Sequence, residues 1–250
     1  MNKIRCDLKI ISLIFVFLLI FSFSAMAELD EARFRRDVVE GLENREGVIE
    51  LSYPVSISNV DIDELKEQFR IAMSEADEYT AYTTRSWEIG LSGSSGNVDI
   101  TINVVYLNTI AEDEYVFREV EQKARNLFNF GDDRHDKLKK LTDYIATNVV
   151  YDHSKTYYSA YDALRRGTAT CQGYALLTHL FLEEAGLENI IISGTLDNEK
   201  HGWNLVKVGG NWYHLDLTQI SGNYQDHGER LGDIESQLPI PNQGSKMRQG

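Results

Sequence analysis

The chain has 250 residues, of which 42% are apolar and 26% are charged, and its formal net charge is −14. This composition is ordinary for a globular protein and excludes an intrinsically disordered chain. No basic stripe offsets the acidic balance, and a negative surface repels phosphate backbones, so a nucleic-acid-binding protein is excluded as well.

The first 27 residues are predicted to be a secretory signal peptide. Lys3, Arg5 and Lys9 form a basic start, an apolar run covers residues 10–23, and Ala-Met-Ala at 25–27 is a small-x-small cleavage pattern. An uncleaved anchor is the alternative, but the apolar run is short of the roughly 20 residues that span a bilayer. The sequence therefore predicts a secreted or extracytoplasmic protein.

Cleavage would leave the exported protein with a single cysteine. It would remove three basic residues, the acidic Asp7 and also Cys6, so that the net charge becomes −16 and Cys171 remains as the one thiol. An internal disulfide is then impossible, although an oxidising compartment would permit one. A lone thiol is either an inert buried residue or a functional one, and the surrounding sequence has to decide between them.

Three regions follow the leader: a small α+β region at 28–110, a core region at 111–225 and a polar tail at 226–250. In the first region, the apolar spacing predicts helices over 29–45, with Gly47 just past the end, and over 61–75. Strands are predicted over 48–54, 85–91 and 98–107. The last two strands flank Ser-Gly-Ser-Ser-Gly at 92–96, which is typical of a hairpin turn.

Two helices are predicted at the start of the core. Thr109 and Glu112 form a capping-box pattern that opens a helix to about residue 128. Asp132 or Asp133 is expected to cap a second helix that runs to about residue 150.

Cys171 stands at the polar entrance of an apolar segment. The segment runs over 174–185 and stops at Gly186, so we expect a helix with Cys171 in its first turn and Thr170 as its N-cap. The positive end of a helix dipole favours a thiolate over a thiol, and its free N–H groups can receive an oxyanion. This position favours a functional cysteine.

Strands are predicted over 190–196, 201–208 and 211–217, and Gly209-Gly210 is a hairpin signal between the last two. If Val208 pairs with Asn211, then Trp203 lies opposite Asp216 and His201 lies opposite Thr218. His201 and Asp216 then share a face as diagonal neighbours about 7–8 Å apart, within reach of a hydrogen bond.

This pairing predicts the parts of a nucleophilic thiol site. His201 can take the thiol proton because an imidazole titrates near neutral pH. Asp216 would orient the ring and stabilise the imidazolium, and Trp203 would shield the pair from water.

Three sequence blocks carry a resemblance to a known family. They read CQGYA at 171–175, HGWN at 201–204 and WYHLDLT at 212–218. Together they resemble the transglutaminase-like superfamily over about residues 135–220. The resemblance implies an α+β, papain-like core, with the catalytic cysteine on a helix N-terminus packed against an antiparallel sheet that carries histidine and aspartate. It implies Cys171, His201 and Asp216 as the catalytic residues.

Gln172, Trp203 and Tyr161 are the candidates for binding substrate or stabilising the oxyanion. The favoured function is acyl transfer on protein or peptide amides through a Cys171 thioester. A cysteine peptidase or amidase would use the same triad with water as the acceptor. A non-catalytic cell-envelope binding module is the third possibility; the complete triad argues against it, and the polar end of the chain favours it.

No metal and no cofactor are expected. Asp132, Asp133 and Asp136 match no EF-hand spacing, and solvated helix caps explain them better. His179 is expected to be a satisfied packing residue, whereas His214 alternates with Asp216 and could border the site. The expected partner is a protein or peptide substrate, with possible association with the cell envelope, and the sequence does not indicate the oligomeric state.

Overall fold

The computed structural model describes residues 28–196 and 198–219, so the predicted signal peptide and the predicted polar tail lie outside the described residues. The described chain is α+β, with helices packed against antiparallel sheets, as predicted. In these two described ranges, no helix is both long and apolar enough to cross a bilayer.

The first half of the chain forms helices around a three-stranded antiparallel sheet. Its elements are α1 (Glu31–Glu43), β1 (Val48–Tyr53), α2 (Ile62–Glu75), α3 (Glu78–Thr83), β2 (Thr84–Gly93) and β3 (Val98–Tyr106). The sheet order is β1-β3-β2, and the β2–β3 hairpin was predicted. Helix α3 was not predicted, because six residues are too few for a helical period to stand out.

Helix α1 ends at Glu43, two residues before its predicted end, and Gly47 lies beyond it as predicted. The residue in the left-handed region after the helix is Arg45, with φ of 59°. The guanidinium group of Arg45 bonds to Thr83 and Asp113, and these contacts hold the residue in a conformation that glycine would adopt more readily.

The second half places one apolar helix against a second antiparallel sheet. Its elements are α4 (Ile110–Leu127), α5 (Arg134–Asn148), β4 (Val150–Tyr151), β5 (Thr168–Ala169), α6 (Cys171–Glu184), β6 (Asn189–Leu196), β7 (Glu199–Val208) and β8 (Asn211–Leu215). The sheet order is β6-β7-β8. The capping box of Thr109 and Glu112 is confirmed, and Asp133 caps α5.

Two clusters of buried apolar side chains make up the core. One lies between the first sheet and helices α1 and α2, and includes Phe34, Phe69 and Ile102. The other surrounds α6 and includes Leu176 and Phe181. Tyr79 of α3 belongs to this second cluster although it precedes residue 110. The division into two regions near residue 110 stays a prediction.

Candidate active site

Cys171 is a half-buried free thiol at the first position of α6. Thr170 is the N-cap residue, as predicted, but its side chain makes no capping hydrogen bond. Among the described residues, its buried hydroxyl oxygen has no partner at all. The first intrahelical bond runs from the Tyr174 N–H to the Thr170 carbonyl, so the N–H groups before Tyr174 are outside the helical ladder. The helix start therefore presents donors beside the thiol.

Two small features hold α6 in place behind the thiol. A Cβ atom at Gly173 would lie 2.6 Å from Cβ of Ala169 and 2.7 Å from the carbonyl oxygen of Ser159, so only glycine permits this close approach. On the sheet side, the buried Asn204 donates from Nδ2 to the Ala175 carbonyl at 3.0 Å. This bond ties β7 directly to the second turn of α6, and it explains the asparagine of the HGWN block.

His201 and Asp216 form the predicted pair. Their Nε2 and Oδ2 atoms are 2.8 Å apart, and the two side chains are only 10% and 15% exposed. The pairing of Val208 with Asn211 is confirmed, which is the register from which the pair was inferred. Asp216 lies one residue beyond the end of β8 rather than on the strand.

Thr218 fixes the other oxygen of the aspartate. Its N–H and its hydroxyl both donate to Oδ1 of Asp216, at 3.1 and 2.6 Å. One carboxylate oxygen is therefore anchored, while the other faces the imidazole. Because the imidazole bonds to Asp216 through Nε2, its Nδ1 is the nitrogen left to receive a thiol proton.

Trp203 covers the histidine and is itself held by a second histidine. Its ring stacks on His201, with centroids 5.6 Å apart and an interplanar angle of 23°. Its Nε1 donates to Nδ1 of His214 at 2.7 Å. A Cβ atom on Gly194 would come within 2.9 Å of the indole, so this glycine makes room for it. His214 therefore borders the site, and burial lowers the pKa of its ring.

The thiol and the histidine lie on elements that pack against each other, α6 and β7. The loop after β4 also contacts the start of β7, where Lys155 bonds to Glu199 with 2.9 Å between Nζ and Oε2. In the part of the chain that the structure describes, no hydrogen bond joins the Cys171 thiol to the His201 ring.

Two of the predicted substrate-binding or oxyanion candidates make other contacts. Gln172 donates from Nε2 to the carbonyl oxygen of Tyr82 at 2.7 Å, and the Tyr82 hydroxyl donates to the Ile191 carbonyl at 2.8 Å. Gln172 thus links the start of α6 to α3. Tyr161 makes an edge contact with Tyr115 of α4, with centroids 5.6 Å apart. A role for either residue in oxyanion stabilisation stays a prediction.

Residues 121–217 match the sequence profile of the transglutaminase-like superfamily. Cys171, His201 and Asp216 all fall within this stretch. This stretch is similar to the transglutaminase-like superfamily, and it spans less than half of the chain. This agrees with the α+β arrangement in which α6 packs on the β6-β7-β8 sheet.

Three solved structures are similar at low identity. A proposed cysteine protease from Cytophaga hutchinsonii is 15% identical, with a TM-score of 0.38 over 54% of this chain and 63% of that one. A TGase is 15% identical, with a TM-score of 0.35 over 71% and 53%. A proposed protease from Parabacteroides distasonis is 13% identical, with a TM-score of 0.29 over 53% and 39%. The chain covers less than two thirds of each, and no curated protein matches it.

The structure brings one residue close to Cys171 that sequence reasoning missed. Tyr151 ends β4, which pairs in parallel with β5, so that Tyr151 lies level with Ala169, two residues before Cys171. A strand of two residues has no alternation to detect, and Tyr151 precedes Cys171 by twenty positions, so no local signal pointed to it.

Within residues 28–196 and 198–219, no group of three or more potential metal ligands lies together. Asp132 instead accepts the Asn129 N–H and the Lys140 ammonium, while Asp133 and Asp136 form a capping box. His179 is buried and bonds to Asn189 through Nδ1 at 2.8 Å, which confirms it as a packing residue.

Proposed function

We propose that the protein is a thiol-dependent acyl-transfer enzyme that acts on protein or peptide amides. The observation that carries the proposal is the shielded His201–Asp216 hydrogen bond in a domain whose one cysteine opens an uncapped helix. Histidine held by a carboxylate is the arrangement that activates a thiol for attack on a carbonyl.

The reaction follows from these groups. Nδ1 of His201 takes the Cys171 proton, and the thiolate attacks the amide carbon to form a tetrahedral oxyanion. The C–N bond then breaks, the leaving amine takes the proton from His201, and a thioester remains on Cys171. A second nucleophile gives its proton to His201 as it attacks the thioester, which releases the acyl product and restores the thiol.

The nature of the second nucleophile separates two activities. An amine makes the protein a transglutaminase, whereas water makes it a peptidase or amidase. We favour the transferase because the resemblance in sequence is to the transglutaminase-like superfamily. Because the leader-like N-terminus predicts export, we propose exported or cell-envelope proteins as the substrates.

The test incubates the protein with a glutamine-containing peptide and a primary amine, followed by mass spectrometry of the peptide. We expect the peptide to gain the mass of the amine with loss of ammonia. Cys171→Ala should abolish the gain, and Asp216→Asn should slow it by roughly 10²–10⁴-fold, because the histidine loses its orienting carboxylate.

Other results of this experiment would support one of the two alternative functions. Deamidation or backbone cleavage without amine incorporation would replace the transferase with the hydrolase. A peptide that is unchanged by the wild-type protein, together with alkylation of Cys171 by iodoacetamide that His201→Ala does not slow, would support a non-catalytic module instead.

A further inference from the structure

The relative position of the thiol and the histidine depends on how α6 packs against the β6-β7-β8 sheet. Across the described ranges, no hydrogen bond runs directly from the Cys171 thiol to the His201 ring. The two groups therefore stay in place only if the helix that carries one is tied to the sheet that carries the other. Polar contacts between these elements near the site fix that geometry.

One such tie is direct and lies a turn away from the thiol. Asn204 of β7 donates from Nδ2 to the Ala175 carbonyl of α6 at 3.0 Å. Asn204 comes three residues after His201, and Ala175 comes four residues after Cys171, which is about one helical turn. This bond therefore leaves the first turn of α6 to be held by other contacts.

Helix α3 supplies a second tie, at the first turn itself. Gln172 donates from Nε2 to the carbonyl oxygen of Tyr82 at 2.7 Å, and the Tyr82 hydroxyl donates to the Ile191 carbonyl at 2.8 Å. Gln172 directly follows Cys171, and Ile191 lies on β6. One residue of α3 thus bonds to the start of α6 through its backbone and to the sheet through its side chain.

The contact between α3 and β6 is double. The Ile191 N–H donates to Oε1 of Glu78 at 3.0 Å, so both backbone groups of Ile191 bond to side chains of α3. Strand β6 is an edge of its sheet, where backbone groups lack a strand on one side. Ile191 pairs with Asn204, and Gly194 pairs with His201. Helix α3 therefore takes the place of a neighbouring strand, three residues from the position opposite the histidine.

The first half of the chain holds α3 in turn. Tyr79 donates from its buried hydroxyl to Asp113 at 2.8 Å, and the Thr83 hydroxyl accepts from Arg45 at 2.7 Å. These residues lie three positions before and one position after Tyr82, so the bridging residue has an anchored position on both sides. Helix α3 also precedes residue 121, where the match to the transglutaminase-like superfamily begins.

From this geometry we propose that Tyr82 is a positioning residue, which holds the start of α6 and the edge of the sheet so that His201 can take the Cys171 proton. The inference rests on the proposed function, because the position of the histidine matters only if it acts on the thiol. It gives the region at 28–110 a part in the site, namely the bridge between the nucleophile and the base. Reactions between held groups are sensitive to such bridges, since a displacement of about 1 Å can cost roughly 10²-fold in rate.

The test measures the rate at which iodoacetamide alkylates Cys171 in Tyr82→Phe, in His201→Ala and in the double variant. Phenylalanine keeps the ring and removes the hydroxyl that bonds to Ile191, so we expect Tyr82→Phe alone to slow alkylation by about tenfold. In the His201→Ala background the same substitution should change the rate by about twofold or less, because no base is left to position. A merely structural role would slow alkylation equally in both backgrounds.

Tyr53→Phe is the matched control. The Tyr53 hydroxyl donates to Oδ2 of Asp37 at 2.7 Å, within the first half of the chain. Each tyrosine substitution therefore removes one hydrogen bond of nearly the same length, and both should lower the midpoint of urea unfolding. Only Tyr82→Phe should slow alkylation.

Three results would overturn the assignment: alkylation at the wild-type rate in Tyr82→Phe, equal slowing with and without His201, or the same slowing in Tyr53→Phe. If Tyr82→Phe does not fold, substitutions of Glu78 test the same bridge. Glu78→Gln keeps an oxygen that accepts the Ile191 N–H and should react faster than Glu78→Ala, so equal rates would count against the proposal. Alkylation that His201→Ala does not slow would refute the proposed function, and the inference with it.

Discussion

At the scale of single residues, Trp203 contacts two histidines, His201 and His214, and the second of them predicts how stability depends on pH. The indole donates to Nδ1 of His214, which requires that ring to be neutral, while the reaction proposed above needs His201 to gain and lose a proton. The two histidines lie on neighbouring strands. In the proposed reaction His201 is the base, whereas His214 is a neutral acceptor that holds the indole against His201.

The neutral state of His214 predicts a dependence of stability on pH. Burial lowers its pKa from 6.5 in the folded protein, so only the unfolded chain takes up this proton as the pH first falls below that value. Wild-type protein should lose stability relative to His214→Asn as the pH drops through 6.5 toward the lower folded value. Asparagine still accepts the Trp203 N–H but does not titrate.

The measurement is the free energy of urea unfolding of both proteins from about pH 8 to pH 5, across the range in which histidine titrates. Because all other titrating groups are shared, the difference between the two proteins isolates His214. A difference that stays constant across this range would contradict the neutral assignment.

At the scale of elements, α6 is the helix on which the site depends, and its close approach to the chain at Ser159 is made possible by Gly173. Neither contact of a Cβ atom there, with Ala169 or with the Ser159 carbonyl, can be relieved by a flexible side chain. The glycine of the CQGYA block is thus explained by packing behind the thiol.

We expect Gly173→Ala to lower the free energy of unfolding by about 1 kcal/mol, and by about 2 kcal/mol at most. Overpacking costs roughly 1–3 kcal/mol, and the better helix propensity of alanine returns about 1 kcal/mol of that. Gly96→Ala is the control, because a Cβ at that turn meets no atom within 4 Å. Equal stability of the two variants by urea unfolding would show that α6 can move away from Ser159 freely.

At the scale of the whole molecule, a buried polar network joins the first half of the chain to α4. The guanidinium of Arg45 bonds to Asp113 and to Thr83, and it lies over the Tyr106 ring at 3.9 Å. Tyr79 and Asn108 both donate to the other oxygen of Asp113, at 2.8 Å. The Arg45 and Asp113 side chains are 12% and 4% exposed, so neither charge has water as a substitute partner.

Arg45→Met should therefore destabilise the protein by about 3–5 kcal/mol, because it leaves a buried carboxyl group without its cation. Adding Asp113→Asn removes the unpaired charge, and the double variant should recover part of the loss in urea unfolding. Lys66→Met, which breaks an exposed pair with Asp63, should change stability by about 1 kcal/mol or less. If the effects of Arg45→Met and Asp113→Asn on the free energy of unfolding simply added in the double variant, the two residues would not be coupled.

Much of the fold and of the candidate site could be predicted from local sequence. The apolar spacing placed α1, α2, α4, α5 and α6 within a few residues of their observed ends, and the capping box at Thr109 was readable directly. The His201–Asp216 pairing was also predictable, because the two glycines between β7 and β8 set the register of the hairpin. Both glycines have positive φ, as a tight turn of this kind requires.

What the sequence by itself determined is thus confined to features whose cause is local: helical spacing, caps, the hairpin register and the identity of the cysteine at a helix start. Only the tertiary structure decided which distant groups meet. Gln172 bonds to Tyr82 across 90 positions and Arg45 to Asp113 across 68, while β4 brings Tyr151 beside Cys171. Such contacts depend on how separate elements pack in three dimensions, and no periodicity within a single segment records that packing.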